Sequence, residues 1–130
     1  MKKVIYLILC LLIFSSFSNK VFAQCGMRSS VKTKSLENQL SEEGDAKIKG
    51  ELLYSQMCVV CHGESGKGDG VEGVSLSKRP ANLTSIRVQQ QTDGEIFCRI
   101  TNGIGSMPSF ENSLTTMQRW ELINYIKTLN

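Results

Sequence analysis

The chain has 130 residues and a formal charge of +3, with 41% hydrophobic, 21% charged and only 7% aromatic residues. That length holds one small domain, and the charge vanishes once an N-terminal segment carrying Lys2, Lys3 and Lys20 is set aside. The arithmetic argues against a large enzyme, an integral membrane protein, a cytosolic regulator and a nucleic-acid binder, which would need a strongly basic surface.

Residues 1–23 read as a signal peptide. Met1-Lys2-Lys3 is basic, Val4 to Phe14 is apolar, and Val21-Phe22-Ala23 is a small-residue cleavage pattern. The apolar run is shorter than the roughly 20 residues a membrane span needs. The protein is therefore expected to be exported, periplasmic in a bacterium. Cys25 follows Gln24 and forms a poor lipoprotein site, so membrane attachment would come only from an uncleaved signal or a lipid on Cys25. Residues 24–45 are rich in Ser, Lys, Glu, Asn and Gln, with isolated Val31, Leu36 and Leu40. That composition offers too little apolar surface to offset chain entropy, so the segment is read as a flexible arm or tether. The folded domain is then 46–130, marginal for a core of side chains alone. A bound group is expected to fill its middle.

A helix is predicted over 47–59, with Ile48, Leu52, Leu53 and Met57 as its apolar stripe. It runs into Cys58-Val59-Val60-Cys61-His62, the spacing of covalent c-type haem attachment. Two thiols separated by two residues reach the two vinyl groups of one porphyrin, and the next residue, His62, is held beneath the iron as its proximal ligand. A zinc site would want a second Cys/His pair, but Cys25 and Cys98 are single and His62 is the only histidine. A thioredoxin-like pair would want a preceding strand, and no alternating pattern is present.

Glycines at 63, 66, 68, 70 and 73 follow the motif. A phosphate-loop reading fails, because Gly68 stands where Ser or Thr is required; the glycines instead let backbone run close to a porphyrin. A second helix is predicted from Thr92 or Asp93 through Ile100, stopped by Asn102-Gly103. On it Cys98 falls roughly opposite Ile96 and Ile100. It reads first as a passive small residue, then as a partner of Cys25, and last as a thiolate ligand to iron. Met107 lies in Gly105-Ser106-Met107-Pro108, a loop stiffened by proline, and is the candidate second axial ligand of the metal. Such His/Met ligation raises the reduction potential and closes the iron. Met57, Met117 and Met27 suit that role less well. A last helix opens at the capping box Thr115-Thr116-Met117-Gln118 and places Leu122, Ile123, Tyr125, Ile126 and Leu129 on one face.

Taken together, Gly50-x-x-x-Tyr54-x-x-x-Cys58, the attachment motif with Gly63, Gly66-Lys67-Gly68-Asp69-Gly70, Thr101-Asn102-Gly103 with Met107-Pro108-Ser109-Phe110, and the Trp120 to Leu129 segment resemble monohaem class I cytochromes c of the short bacterial type. The resemblance spans about 49–130. It implies an all-α small cytochrome c fold, with three to five helices wrapped around one covalently attached haem c. It further implies that Gly50 lets the first and last helices cross closely, and that a proline carbonyl, assigned to Pro80, accepts the His62 N–H.

Arg79, Arg87 and Arg99 are candidates to meet haem propionates. The activity implied is outer-sphere one-electron transfer between redox partner proteins, by transient contact and with modest salt dependence. The apolar ring around the haem edge would comprise Val59, Val60, Ile104, Met107, Pro108 and Phe110. Two alternatives stand beside it. One is a haem subunit of a larger oxidoreductase; the other is a gas-binding haem protein with Cys98 or an open site at iron. No acid/base or nucleophile–base pair supports independent catalysis.

Overall fold

A computed structural model describes Cys25, residues 36–40 and residues 44–130. The segment read as a signal peptide lies outside the described residues. Among those described there are five helices, one 3-10 turn at Gly73–Ser75 and no strand, so the all-α expectation holds. No helix among them is long and apolar enough to cross a membrane. The helices are α1 (Gly44–Met57), α2 (Val59–His62), α3 (Ile86–Gln89), α4 (Asp93–Asn102) and α5 (Thr116–Ile126).

Local chemistry explains the boundaries. Thr92 caps α4 by accepting from the Glu95 N–H, while the Glu95 carboxylate accepts from the Thr92 N–H at 2.8 Å. Thr115 and Gln118 form the same reciprocal box at the start of α5. Both satisfy amides that a first helical turn leaves without partners. Gly103 ends α4 with φ +71°, a conformation costly for any residue with a side chain.

α1 and α5 cross closely because Gly50 is bare. A Cβ there would overlap the Glu121 carbonyl of α5. Beside this contact Tyr54 meets Tyr125 with ring centroids 5.2 Å apart. The buried face of α1 is Ala46, Gly50 and Tyr54, which corrects the predicted stripe: Ile48 and Leu52 are exposed, and only Leu53 and Met57 pack on the core. Close approach selects small residues for the interface and rotates the bulky aliphatics outward.

α4 lies against α5 through Phe97, stacked on Trp120 at 4.1 Å between centroids. Phe97, Leu122, Ile123 and Tyr54 are essentially inaccessible. Tyr54 donates its hydroxyl to the Gly63 carbonyl at 2.7 Å; burial pushes its phenol well above the usual range.

Much of the described N-terminal segment is docked on the domain. Leu40 is buried and Leu36 packs against the core. The Asn124 amide donates to the Leu40 carbonyl at 2.9 Å. Cys25 is disulfide-bonded to Cys98, and Asn102 Nδ2 donates to the Cys25 carbonyl at 2.7 Å. The first-ranked reading of Cys98, a passive small residue, is thereby corrected in favour of the second, a partner of Cys25. Its sulfur is covalently engaged and buried, so it is not an iron ligand, and the Cys25 sulfur is not free to carry a lipid. Helical geometry placed Cys98 on a face of its own, and on that face it meets Cys25.

Cross-linking residues 73 apart restricts the unfolded chain by about 4 kcal/mol. Replacing Cys25 and Cys98 together by Ser is therefore expected to lower the denaturant midpoint by that stability, and thiol reductant should bring the wild type to the same curve. Superimposable curves for wild type and double variant would show that the cross-link contributes nothing.

Candidate functional site

The helices do not fill the centre of the domain. They leave a cavity of about 570 Å3 whose wall is largely apolar, within the roughly 300–1,000 Å3 range of cofactor and ligand pockets. Cys58, Cys61, His62, Pro80 and Met107 all line it. Met57, Ile96, Ile100, Leu114, Leu122 and Ile126 supply apolar wall, and α1, α2, α4 and α5 all contribute.

Backbone bonds place the motif. The Cys58 N–H donates to the Tyr54 carbonyl at 2.9 Å, and the His62 N–H to the Cys58 carbonyl at 2.8 Å. The motif thus continues the path of α1 as one further turn, with thiols three residues apart on neighbouring positions. Both are free, Cys58 buried and Cys61 half-buried. Burial, reinforced by Cys61, pushes the Cys58 thiol up to about 12. At neutral pH it is a protonated thiol, ill suited to act as a free nucleophile. No three His, Cys, Asp or Glu side chains converge among the described residues, so the zinc reading has no ligand set there.

His62 is fixed by the 80–82 segment of the cavity wall. Its Nδ1 lies 3.1 Å from the Ala81 carbonyl, which can only accept; the proton therefore sits on Nδ1 and leaves the Nε2 lone pair free for a metal. The assignment to Pro80 is corrected by one residue. Pro80 lines the cavity, but its carbonyl lies instead beside Gly68, 2.5 Å from where a Cβ there would stand. Burial holds the His62 imidazole below its ordinary range, partly opposed by the Ala81 bond. At neutral pH it is the uncharged form that can ligate.

Met107 closes a two-residue turn. The N–H of Ile104 donates to the Met107 carbonyl and that of Met107 to the Ile104 carbonyl, each at 3.1 Å, with Gly105 at φ +61° between. The loop is stitched to the end of α4 by Phe110 N–H to the Ile100 carbonyl at 3.1 Å and Ser109 Oγ to the Thr101 carbonyl at 2.6 Å. Of the apolar ring read from the sequence, Val60, Ile104, Met107, Pro108 and Phe110 line the cavity. Val59 packs on the core instead.

Charge at this site is one-sided. Lys78, Arg79, Arg87 and Arg99 line the cavity and are also solvent-exposed, which puts them at its mouth, and no carboxylate among the described residues lines it. None of the four makes an ion pair among the described residues. Lys78 is the member that sequence reasoning missed; its position one residue before Arg79 was the available signal. An apolar slot with paired thiols, a neutral imidazole and a cationic mouth fits a flat, apolar macrocycle carrying carboxylates.

Residues 45–126 match the family model for cytochrome C oxidase, cbb3-type, subunit III. The chain belongs to this family of c-type cytochrome domains. Haem c, covalently bound, is accordingly the cofactor of the cytochrome domain, and the fit of the cavity agrees. Among solved structures the cytochrome is similar to the Kuenenia stuttgartiensis reducing HAO-like protein complex Kustc0457/Kustc0458, with a TM-score of 0.62 and 24% identity over 72% of this chain and 49% of that one. The chain thus spans about half the length of that neighbour, and the likeness is one of fold. No curated protein matches the sequence.

Proposed function

We propose that this cytochrome is an exported, periplasmic one-electron carrier. In this reading Cys58 and Cys61 hold one haem c through thioethers, and His62 Nε2 and Met107 sulfur are the axial iron ligands. The observation that carries it is the convergence of those four side chains on one apolar cavity. When bound, the haem supplies reversible one-electron chemistry.

The chain's own residues do the rest. Ala81 orients the His62 ring, the Ile104–Met107 turn presents the thioether, and the apolar wall limits water. Arg79, Arg87 and Arg99, with Lys78, face the propionates. The Cys25–Cys98 disulfide supports export, since such bonds persist in oxidising compartments. The reading is tested on the purified holoprotein: a weak near-infrared thioether-to-iron band in the ferric form and no CO uptake by the ferrous form are expected. Rapid CO binding would overturn it.

A second reading, a haem subunit within a larger oxidoreductase, is favoured by the family's description as an oxidase subunit and by a structural neighbour described as a complex. Size-exclusion of native extract separates the two, a carrier eluting alone and a subunit with its assembly.

A further inference from the structure

Arg119, on the first turns of α5, is buried, and no carboxylate lies within ion-pair distance of it among the described residues; Glu111 acts on it from farther away. Its guanidinium lies 4.8 Å over the Phe97 ring centroid. Nη1 donates to Thr101 Oγ1 at 2.7 Å, Nη2 to Thr116 Oγ1 at 3.3 Å and Nε to the Thr115 carbonyl at 3.4 Å. Thr101 Oγ1 in turn donates to the Phe97 carbonyl at 2.8 Å. Desolvating a guanidinium for neutral partners is poorly compensated. An apolar side chain of similar volume would fill the space against Phe97 at lower cost, so stability alone does not account for an arginine here.

The position of Thr101 does account for it. Thr101 stands in the last turn of α4, where carbonyls lack intrahelical donors and carry the negative end of the helix dipole. Two of those carbonyls, Ile100 and Thr101, accept from Phe110 and Ser109, and so hold the segment just beyond Met107. One residue therefore receives Arg119 on its side chain and Ser109 on its backbone.

We propose that Arg119 is a positioning residue for the Met107 loop, locking Thr101 and the end of α4 so that the loop is anchored in one place. The inference rests on Met107 being an iron ligand. Its test uses holoprotein with Arg119→Met, Arg119→Lys and Thr101→Val, reading the ferric near-infrared band against temperature and the CO-bound fraction of the ferrous form.

In Arg119→Met and Thr101→Val the band should fade well below the global melting transition, and the fraction open to CO should rise about tenfold, the effect of losing one well-placed hydrogen bond. Arg119→Lys, which keeps the charge and a donor, should lie between. Thr101→Val keeps the test decisive if Arg119→Met does not accumulate. A band that persists to the melting point in both, with CO uptake unchanged, reduces Arg119 to a packing role and overturns the proposal. A wild type with no such band overturns the ligand reading itself and this proposal with it, whereas a wild-type band unaffected by the variants overturns only the proposal.

Discussion

Replacing Cys58 and Cys61 together by Ser is expected to yield a colourless polypeptide with most of its helix lost. The thioether attachment disappears outright, and the larger effect is on the fold. The cavity they border measures about 570 Å3. At roughly 24 cal/mol per Å3 of empty apolar space, leaving it vacant costs on the order of 10 kcal/mol, comparable to the whole stability of a typical domain, about 5–15 kcal/mol. Haem staining after denaturing electrophoresis reads the attachment, and far-UV circular dichroism reads the fold. A double variant that keeps both its covalent colour and its helicity would remove these two residues from the site. The single variants, each with one thioether left, should retain colour and a weakened fold.

Met107→Ala is expected to leave the haem attached and the protein folded while abolishing the ferric near-infrared band and opening the ferrous form to CO. Its reduction potential should fall by on the order of 0.1–0.3 V, a fraction of the roughly 0.8 V over which axial ligands move haem potentials. Spectroelectrochemical titration of wild type and variant measures this directly. An unchanged potential and spectrum would exclude Met107 as ligand and turn attention to Met57, which also lines the cavity. The two experiments separate attachment from ligation: the first removes the cofactor, the second only changes what it can bind.

The parts of this architecture written in short-range chemistry were legible from the residues. Thr92 with Glu95, Thr115 with Gln118, and Gly103 each solve a local hydrogen-bonding or backbone problem, and the helix ends fall where they stand. The thiol spacing before His62 depends on one turn of backbone and was equally readable. What failed depended on distant chain. Ile48 and Leu52 look like a core stripe until Gly50 is seen pressed on Glu121, an approach set by the whole helix pair.

Which carbonyl meets His62 depends on the course of a loop many residues away, and the sequence reading missed it by one position. The 25–98 bond joins segments 73 residues apart; the pairing was offered from the sequence, but nothing in either neighbourhood ranked it first. Arg119 carries no signal of its own in the sequence; only the placement of Phe97 and Thr101 across from it reveals a buried cation.

The 25–98 cross-link also divides the molecule by covalent topology. Residues between the two half-cystines form a closed circle, and that circle contains Cys58, Cys61, His62 and the Ala81 carbonyl. Met107, Arg119 and all of α5 lie beyond residue 98, outside that circle. The nitrogen proposed to bind iron thus lies within a covalently closed loop of fixed circumference, whereas the sulfur proposed as its second ligand lies outside that loop.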